Sequence, residues 1–371
     1  MAIPTTSSSA QLLLILAFLF LGLWSSTFKI AGNRWRFELF SIDFAVGSVA
    51  LTLLAAYFLG SFGSDIGFNE HLMLASRTSQ VWAIIAGGLF AFGNILLLAA
   101  CALLGISFAY ALTTATILIV LSAFSFNAER LYFLPVAIVA ALITLVVQAR
   151  GAGRGNDTLP GANLPGELRK TPTGRTVKVK QARAVKNSTK GAMAAIIGGL
   201  ALGVSFIPFN AGLFGQFGLG PFAGLVVFSL ALLGSTLVLN LLFMNLPIQG
   251  SRIGFRSYLT GGIMPHLLGI IGGALCTAGI LFLFVVSAFP SEFQPDRAWL
   301  PAAGAGASLI AVVLGLSIWR ELSEAPGAVM RSMLLGTLFL AVAVGVFSVA
   351  MEKGPPPASA PPKPLQQRLP D

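Results

Sequence analysis

The chain has 371 residues, of which 56% are apolar and 10% charged, whereas a water-soluble domain usually carries about 25% charge. So little charge cannot cover a soluble surface, and the surrounding medium is therefore read as lipid. The 41 glycines show no triplet period and the apolar residues fall in blocks rather than heptads, which excludes collagen, coiled coil and a disordered chain.

A helix needs about 20 apolar residues to cross a hydrocarbon layer about 30 Å thick. Ten such blocks are predicted, giving an all-α polytopic membrane protein. The first five lie near 10–30, 39–61, 81–103, 105–126 and 131–149, the first half of the chain (1–149). The first block has no preceding basic residue and no small-residue cleavage pattern, so it is expected to be a retained span. Lys29 ends it. Asp43 lies just inside the second span near the same boundary, where the two read either as a gate or proton-titrating pair, or as snorkelling side chains in a structural ion pair. Asn94 falls near the middle of the third span. There its amide either binds a polar solute or hydrogen-bonds a neighbouring helix. Thr113, Thr114 and Thr116 occupy the fourth span, as solute ligands or as hydroxyls bonded to their own helix. Cys101 and Cys276 sit inside apolar blocks and suggest neither a disulfide framework nor a metal site.

Residues 150–190 carry ten Lys or Arg against Asp157 and Glu167, which supplies most of the formal net charge of +10. With Gly, Pro and Thr among the charges and no apolar period, this stretch reads as a basic cytoplasmic linker and not as a nucleic-acid surface. Five more blocks follow near 191–213, 219–243, 259–287, 298–319 and 328–350, the second half (191–350). Asn210 follows Pro208 in the sixth span, and His266 follows Pro265 in the eighth, where a kink would free a backbone carbonyl beside a residue that titrates near neutral pH. The pairs Glu129–Arg130 and Arg320–Glu321 lie at helix ends and are expected to cap the helices that follow them. Small-residue faces at Gly199 and Gly203, Gly220 and Gly224, and Gly269 and Gly273 predict close helix crossings. The remainder, 351–371, with seven prolines from Gly354 onward, is expected to be a disordered tail.

Counting Lys and Arg on alternate sides gives six on the side of both termini and seventeen on the side of the linker. The positive-inside rule then places the termini outside and residues 150–190 in the cytoplasm, and the short loops are compatible with a cell (inner) membrane of bacterial type. Five spans per half force the second half to enter the membrane in the opposite sense. GGLFAFGNILLL in the third span, with Gly87 and Gly93, matches GALCTAGILFLF in the eighth, with Gly273 and Gly279, although Asn94 becomes Ile280. Two inverted five-helix repeats are a common way for carriers to obtain states open to either side.

The segments GNRWRFELFSIDFAVG (32–47) and GGLFAFGNILLLAACALLGIS (87–107), with the acid after the fourth and ninth spans, resemble the ten-helix branch of the drug/metabolite transporter superfamily, and within it the ureide permease-like and sugar-porter families. That resemblance implies five plus five helices around a central cavity. It also implies substrates such as allantoin, uracil and other oxo-heterocycles, or monosaccharides, commonly with proton coupling. The phosphate loop described for plant ureide permeases has no counterpart, since Thr173-Gly174-Arg175-Thr176 lacks its glycine spacing and lysine.

The expectation is a secondary transporter with Asn94, Thr113, Thr114, His266 and Asn210 binding solute, and Asp43 and Lys29 coupling or gating. Its partners are a small solute, membrane lipid and protons, with no cofactor, metal or nucleic acid and the oligomeric state open. No paired acid and base or metal-spaced set points to an enzyme. The alternative is a non-transporting polytopic scaffold or lipid-handling protein in which the polar residues only join helices.

Overall fold

Backbone that water cannot reach must close its own hydrogen bonds, so long apolar blocks fold as helices. The computed structural model describes residues 7–32, 35–61, 67–124, 131–155, 182–214, 217–287, 300–323 and 325–351, and among them every regular element is helical. The elements are α1 (Ser7–Ala31), α2 (Phe37–Phe58), the short α3 (Phe68–Leu74), α4 (Arg77–Leu104), α5 (Ile106–Phe124), α6 (Leu134–Gly155), α7 (Ala182–Phe214), α8 (Gly220–Asn245), the short α9 (Phe255–Leu259), α10 (Ile263–Ser287), α11 (Leu300–Ser317) and α12 (Gly327–Ala350), with a 3-10 turn at Leu131–Phe133. Nine helices among the described residues are long and apolar enough to cross a membrane. α11 is apolar but shorter, over Ala303–Ser317. Helix enters both ends of the basic segment, because α6 runs to Gly155 and α7 starts at Ala182. The expected tail and the Glu129–Arg130 pair lie outside the described residues.

Local signals explain several boundaries. Ser76 Oγ accepts the Ser79 amide at 3.0 Å and caps α4. Gly105, at φ +86°, separates α4 from α5 in a single residue. Pro221 stands in the first turn of α8, where its missing N–H has no helical partner to lose. Pro265 behaves likewise. The sequence suggested a proline inside the eighth span, but α10 begins only at Ile263, so Pro265 occupies its first turn and frees no carbonyl. Pro208 does lie inside α7.

The molecule is apolar on its outside as well as within. Leu12, Ile15, Leu19 and Leu23 make an exposed stripe on α1, and Leu334, Leu335, Leu338 and Val342 make another on α12. In water such faces would drive aggregation, whereas against acyl chains they cost nothing. The core is built on fully buried Phe37, Phe40, Phe44, Phe108 and Phe347.

Helices approach most closely at glycines. α4 packs on α7 with Gly93 against the Gly198 carbonyl and Leu202, and α10 packs on α1 with Gly279 against the Ala17 carbonyl and Leu21. Gly87 meets the Phe228 carbonyl between α4 and α8, and Gly273 meets the Phe44 carbonyl between α10 and α2. Gly203 lies on Val120 and Ile117 of α5, and Gly22 lies on Ile310 and Ala307 of α11. Of the glycines singled out in the sequence, Gly199, Gly203, Gly269 and Gly273 stand at such crossings. Gly220 instead opens α8 at φ +68°.

Candidate functional site

The richest polar constellation is built where α2 and α10 begin. Asp43, the seventh residue of α2, is 1% exposed in a helix whose neighbours are Phe40, Ile42 and Phe44. A carboxylate there needs donors, and three converge on it. Tyr258 of α9 donates its hydroxyl to Oδ1 at 2.7 Å, and Trp35, just before α2, donates Nε1 to Oδ2 at 3.0 Å. His266 of α10 places Nδ1 2.8 Å from Oδ1. Its other ring nitrogen, Nε2, lies 3.0 Å from the Tyr258 carbonyl oxygen. The approach is possible because Gly269, one turn further along α10, leaves the Asp43 Cβ the space a side chain would fill.

Aromatic rings close the cluster. Trp35 meets His266 edge-on at a centroid distance of 4.5 Å, and Tyr258 meets it at 4.7 Å and 88°. Gly261 packs against the Trp35 ring, so the turn between α9 and α10 acts as a cover. The His266 side chain keeps 23% of its surface, against 2% for Asp43, so contact with solvent runs through the imidazole. Tyr258, outside the spanning helices, has its phenol pushed well above the ordinary value, by burial first and then by its hydrogen bond to Asp43.

Lys29 is not Asp43's partner. Its ammonium lies 2.8 Å from Glu321 Oε1, and the Glu321 carboxylate also accepts the Ile106 amide at 3.0 Å, the Ser107 amide at 2.9 Å and the Ser107 hydroxyl at 3.0 Å. Glu321 therefore caps α5, across the molecule, and not α12, which starts six residues further on after Pro326. The physical reason is demand. Gly105 leaves the first amides of α5 without carbonyl partners, and a carboxylate beside a helix N-terminus satisfies both hydrogen bonding and the dipole. Glu321 is turned inward by Arg320 at φ +45° and closed by its own amide on the Gly315 carbonyl at 3.0 Å. A third tie joins Arg36 to Glu38, with Nε 3.1 Å from Oε2, while Arg36 also donates to the Ser251 carbonyl after α8.

The other sequence candidates scatter. Asn94 on α4 is 2% exposed and Thr114 on α5 is 1% exposed, and the side chain of neither is hydrogen-bonded to a described residue, though neither is among the fully occluded unpartnered groups. Thr113 donates to the Ala195 carbonyl of α7 at 3.1 Å, and Thr116 to its own helix at Leu112. The Thr113 hydroxyl thus joins α5 to α7, whereas that of Thr116 bonds back onto α5. Asn210 Oδ1 is buried and unpaired among the described residues, two residues beyond Pro208 on α7 and away from the Asp43 cluster. A cavity of about 380 Å³ lies on the outward apolar face of α2 at Leu53, Leu54, Tyr57 and Phe58, and opens to none of these residues.

Sequence reasoning missed Trp35, Tyr258 and the capping role of Glu321. It also missed the polar contacts between α2 and α8, where Asn240 Nδ2 donates to Ser41 Oγ at 2.9 Å and the Thr52 and Ser229 hydroxyls are hydrogen-bonded to each other at 2.7 Å. Polar residues on adjoining spans were the available signal for the last.

No protein family and no curated protein matches the chain. A solved structure, described only as a crystal structure of protein, is similar over 93% of this chain and 98% of its own, at 16% identity and a TM-score of 0.49.

Proposed function

We propose that the protein is a secondary transporter. Ten spans form two inverted five-helix halves that expose a central polar layer to alternate faces of the membrane, with protons as coupling ion and the termini opposite the basic linker. One observation carries this reading. The glycine crossings recur when each helix is exchanged for the one five spans away: Gly93 with Gly198 and Leu202 becomes Gly279 with Ala17 and Leu21, Gly87 with Phe228 becomes Gly273 with Phe44, and Gly203 with Val120 and Ile117 becomes Gly22 with Ile310 and Ala307. Matching contacts in matching registers support a pseudo-twofold relation between halves, which is the arrangement that gives two conformations of similar energy.

The solute is a small polar molecule, a ureide, nucleobase-like lactam or monosaccharide. Asn94 and Thr114 support this choice, because each is buried with hydrogen-bonding capacity not used by a described residue. The rival reading, a scaffold or lipid-handling protein, draws on Thr113, whose hydroxyl simply joins α5 to α7.

Purified protein in liposomes is expected to take up at least one of allantoin, uracil or a monosaccharide under a pH gradient or in counterflow. Asn94→Ala is expected to raise KM with folded yield retained. Absence of movement for the whole panel under both conditions rejects the transporter.

A further inference from the structure

We propose that Asp43 and His266 together bind a single exchangeable proton, and that this proton fastens α10 and the α9 turn onto α2. The assignment deepens the transporter reading and rests on it only for the coupling role, not for the existence of the site.

The hydrogen bonds around His266 require such a proton. Both ring nitrogens of His266 face oxygen, Nδ1 toward Asp43 Oδ1 at 2.8 Å and Nε2 toward the Tyr258 carbonyl at 3.0 Å. A carbonyl only accepts, so Nε2 must carry a hydrogen. The Nδ1 contact then needs a proton of its own, on the imidazole beside a carboxylate or on the carboxyl beside a neutral imidazole. Both arrangements hold the same number of protons and the same zero net charge. Removing one proton leaves a neutral ring with one N–H and two oxygens to satisfy, so either the Asp43 or the Tyr258 contact becomes a clash of lone pairs and opens.

Nothing nearby offers a substitute. Trp35 and Tyr258 are neutral donors already engaged at Asp43. On α2 the other charge, Glu38, is held by Arg36, and Lys29 at the end of α1 is held by Glu321. Arg256 on α9 and Arg252 before it are exposed. α8, packed on the other side of α2, has no titratable residue, α4 has only Arg77 at its far end and the buried Cys101, and α10 itself adds only buried Cys276. The exchange route is the partly exposed imidazole. The part released is the turn carrying Gly250, Gly254, Gly261 and Gly262, which has the backbone freedom to move.

Hydrogen exchange of the full chain in nanodiscs tests this without any solute. The amides of Ser257, Thr260 and Gly261 are hydrogen-bonded within the turn to Gly254, Arg256 and Tyr258. After correction for intrinsic exchange, their protection should be constant in acid and then fall about tenfold per pH unit once the site loses its proton, the slope for a one-proton linkage. Asp43→Asn and His266→Gln should each abolish that slope while protection in α4 and α7 stays as in the parent. Protection that does not change from pH 5 to 9, or a slope that survives in both variants, overturns the proposal. Should either variant fail to fold, 15N-histidine spectra of His71→Gln protein, in which His266 is the sole histidine, decide it. A His266 titration with the midpoint of the exchange data supports the site, and its absence over that range refutes it. Loss of transport with an intact slope would instead count against the transporter alone.

Discussion

Replacing Glu321 tests whether a charge at one end of the ninth apolar helix organises the start of the fourth. Its carboxylate accepts four hydrogen bonds, two from the first amides of α5, one from Ser107 Oγ and one from Lys29, and its side chain is 8% exposed. In Glu321→Ala the lost cap is worth about 1 kcal/mol, and a second unsatisfied buried amide adds about 1 kcal/mol. The Lys29 pair adds less than about 1 kcal/mol, because the ammonium keeps 39% of its surface. The expected total is about 2 to 3 kcal/mol. Glu321→Gln retains an acceptor oxygen for the amides and should cost about 1 kcal/mol, while Lys29→Ala, which leaves the cap in place, should cost less than either. Reversible unfolding in mixed micelles gives the stabilities, and exchange of the Ile106 and Ser107 amides locates the damage. The reasoning fails if Glu321→Ala and Lys29→Ala cost the same, since that would make the ion pair and not the cap the source of the effect.

The glycine crossings give a contrast that a general helix-propensity argument does not. Gly47→Ala would drive a methyl into the Ile270 carbonyl between α2 and α10 and should destabilise by about 1 to 3 kcal/mol, whereas Gly345→Ala on α12 meets nothing and should be neutral or stabilising by up to about 1 kcal/mol in the same unfolding assay. Thr113→Val removes the α5–α7 hydrogen bond at nearly constant shape and should cost about 0.6 kcal/mol, the usual value for such a bond between spans; a loss of solute affinity with unchanged stability would return Thr113 to the ligand set. The raised phenol of Tyr258 belongs to the closed turn, so a difference ultraviolet spectrum between parent and Tyr258→Phe should show no phenolate from this residue at any pH where the Ser257, Thr260 and Gly261 amides remain protected.

What was readable in the sequence is what a lipid solvent dictates one segment at a time. Contiguous apolar blocks give the long helices, and small-residue spacing gives crossings such as Gly269 and Gly273. Asp43 and His266 stood out because ionisable groups are expensive in spans. Their meeting was not readable, because 223 residues separate them and nothing in either local pattern names a partner. Tyr258 and Trp35 sit beside helix ends, where aromatic residues ordinarily anchor in the lipid interface, so neither looked like a donor to a buried acid. Lys29 was read against Asp43 because they are close in sequence, yet the α5 amides bring in Glu321, which is 292 residues from Lys29, as its partner. Short α3 and α9 escaped because helices of seven and five residues leave no measurable period.

The distribution of these ties has a direction. Lys29 with Glu321 and α5, Arg36 with Ser251, and Asp43 with Tyr258 and His266 all lie where α1, α8 and α11 end and α2, α5 and α10 begin, and each links residues of the first half to residues of the second. At the other end, the described links between halves are mostly of a different kind: the Ser76 amide on the Phe217 carbonyl at 3.0 Å, Gly212 on the Ser79 carbonyl, and Gly60 against Phe222, with the His71 ring beside Gly220 but in no described ion pair. Backbone and apolar contacts vary little with pH or ionic strength, whereas carboxylate and imidazole ties respond to both. If the two halves rock, the charged end is therefore the one whose opening solution conditions can set, and the proton held between Asp43 and His266 should keep it shut. Exchange measured at both ends in one pH series would show this as protection that falls with alkalinity at Ser257, Thr260 and Gly261 while the Ser76 amide stays level, and parallel behaviour at the two ends would refute it.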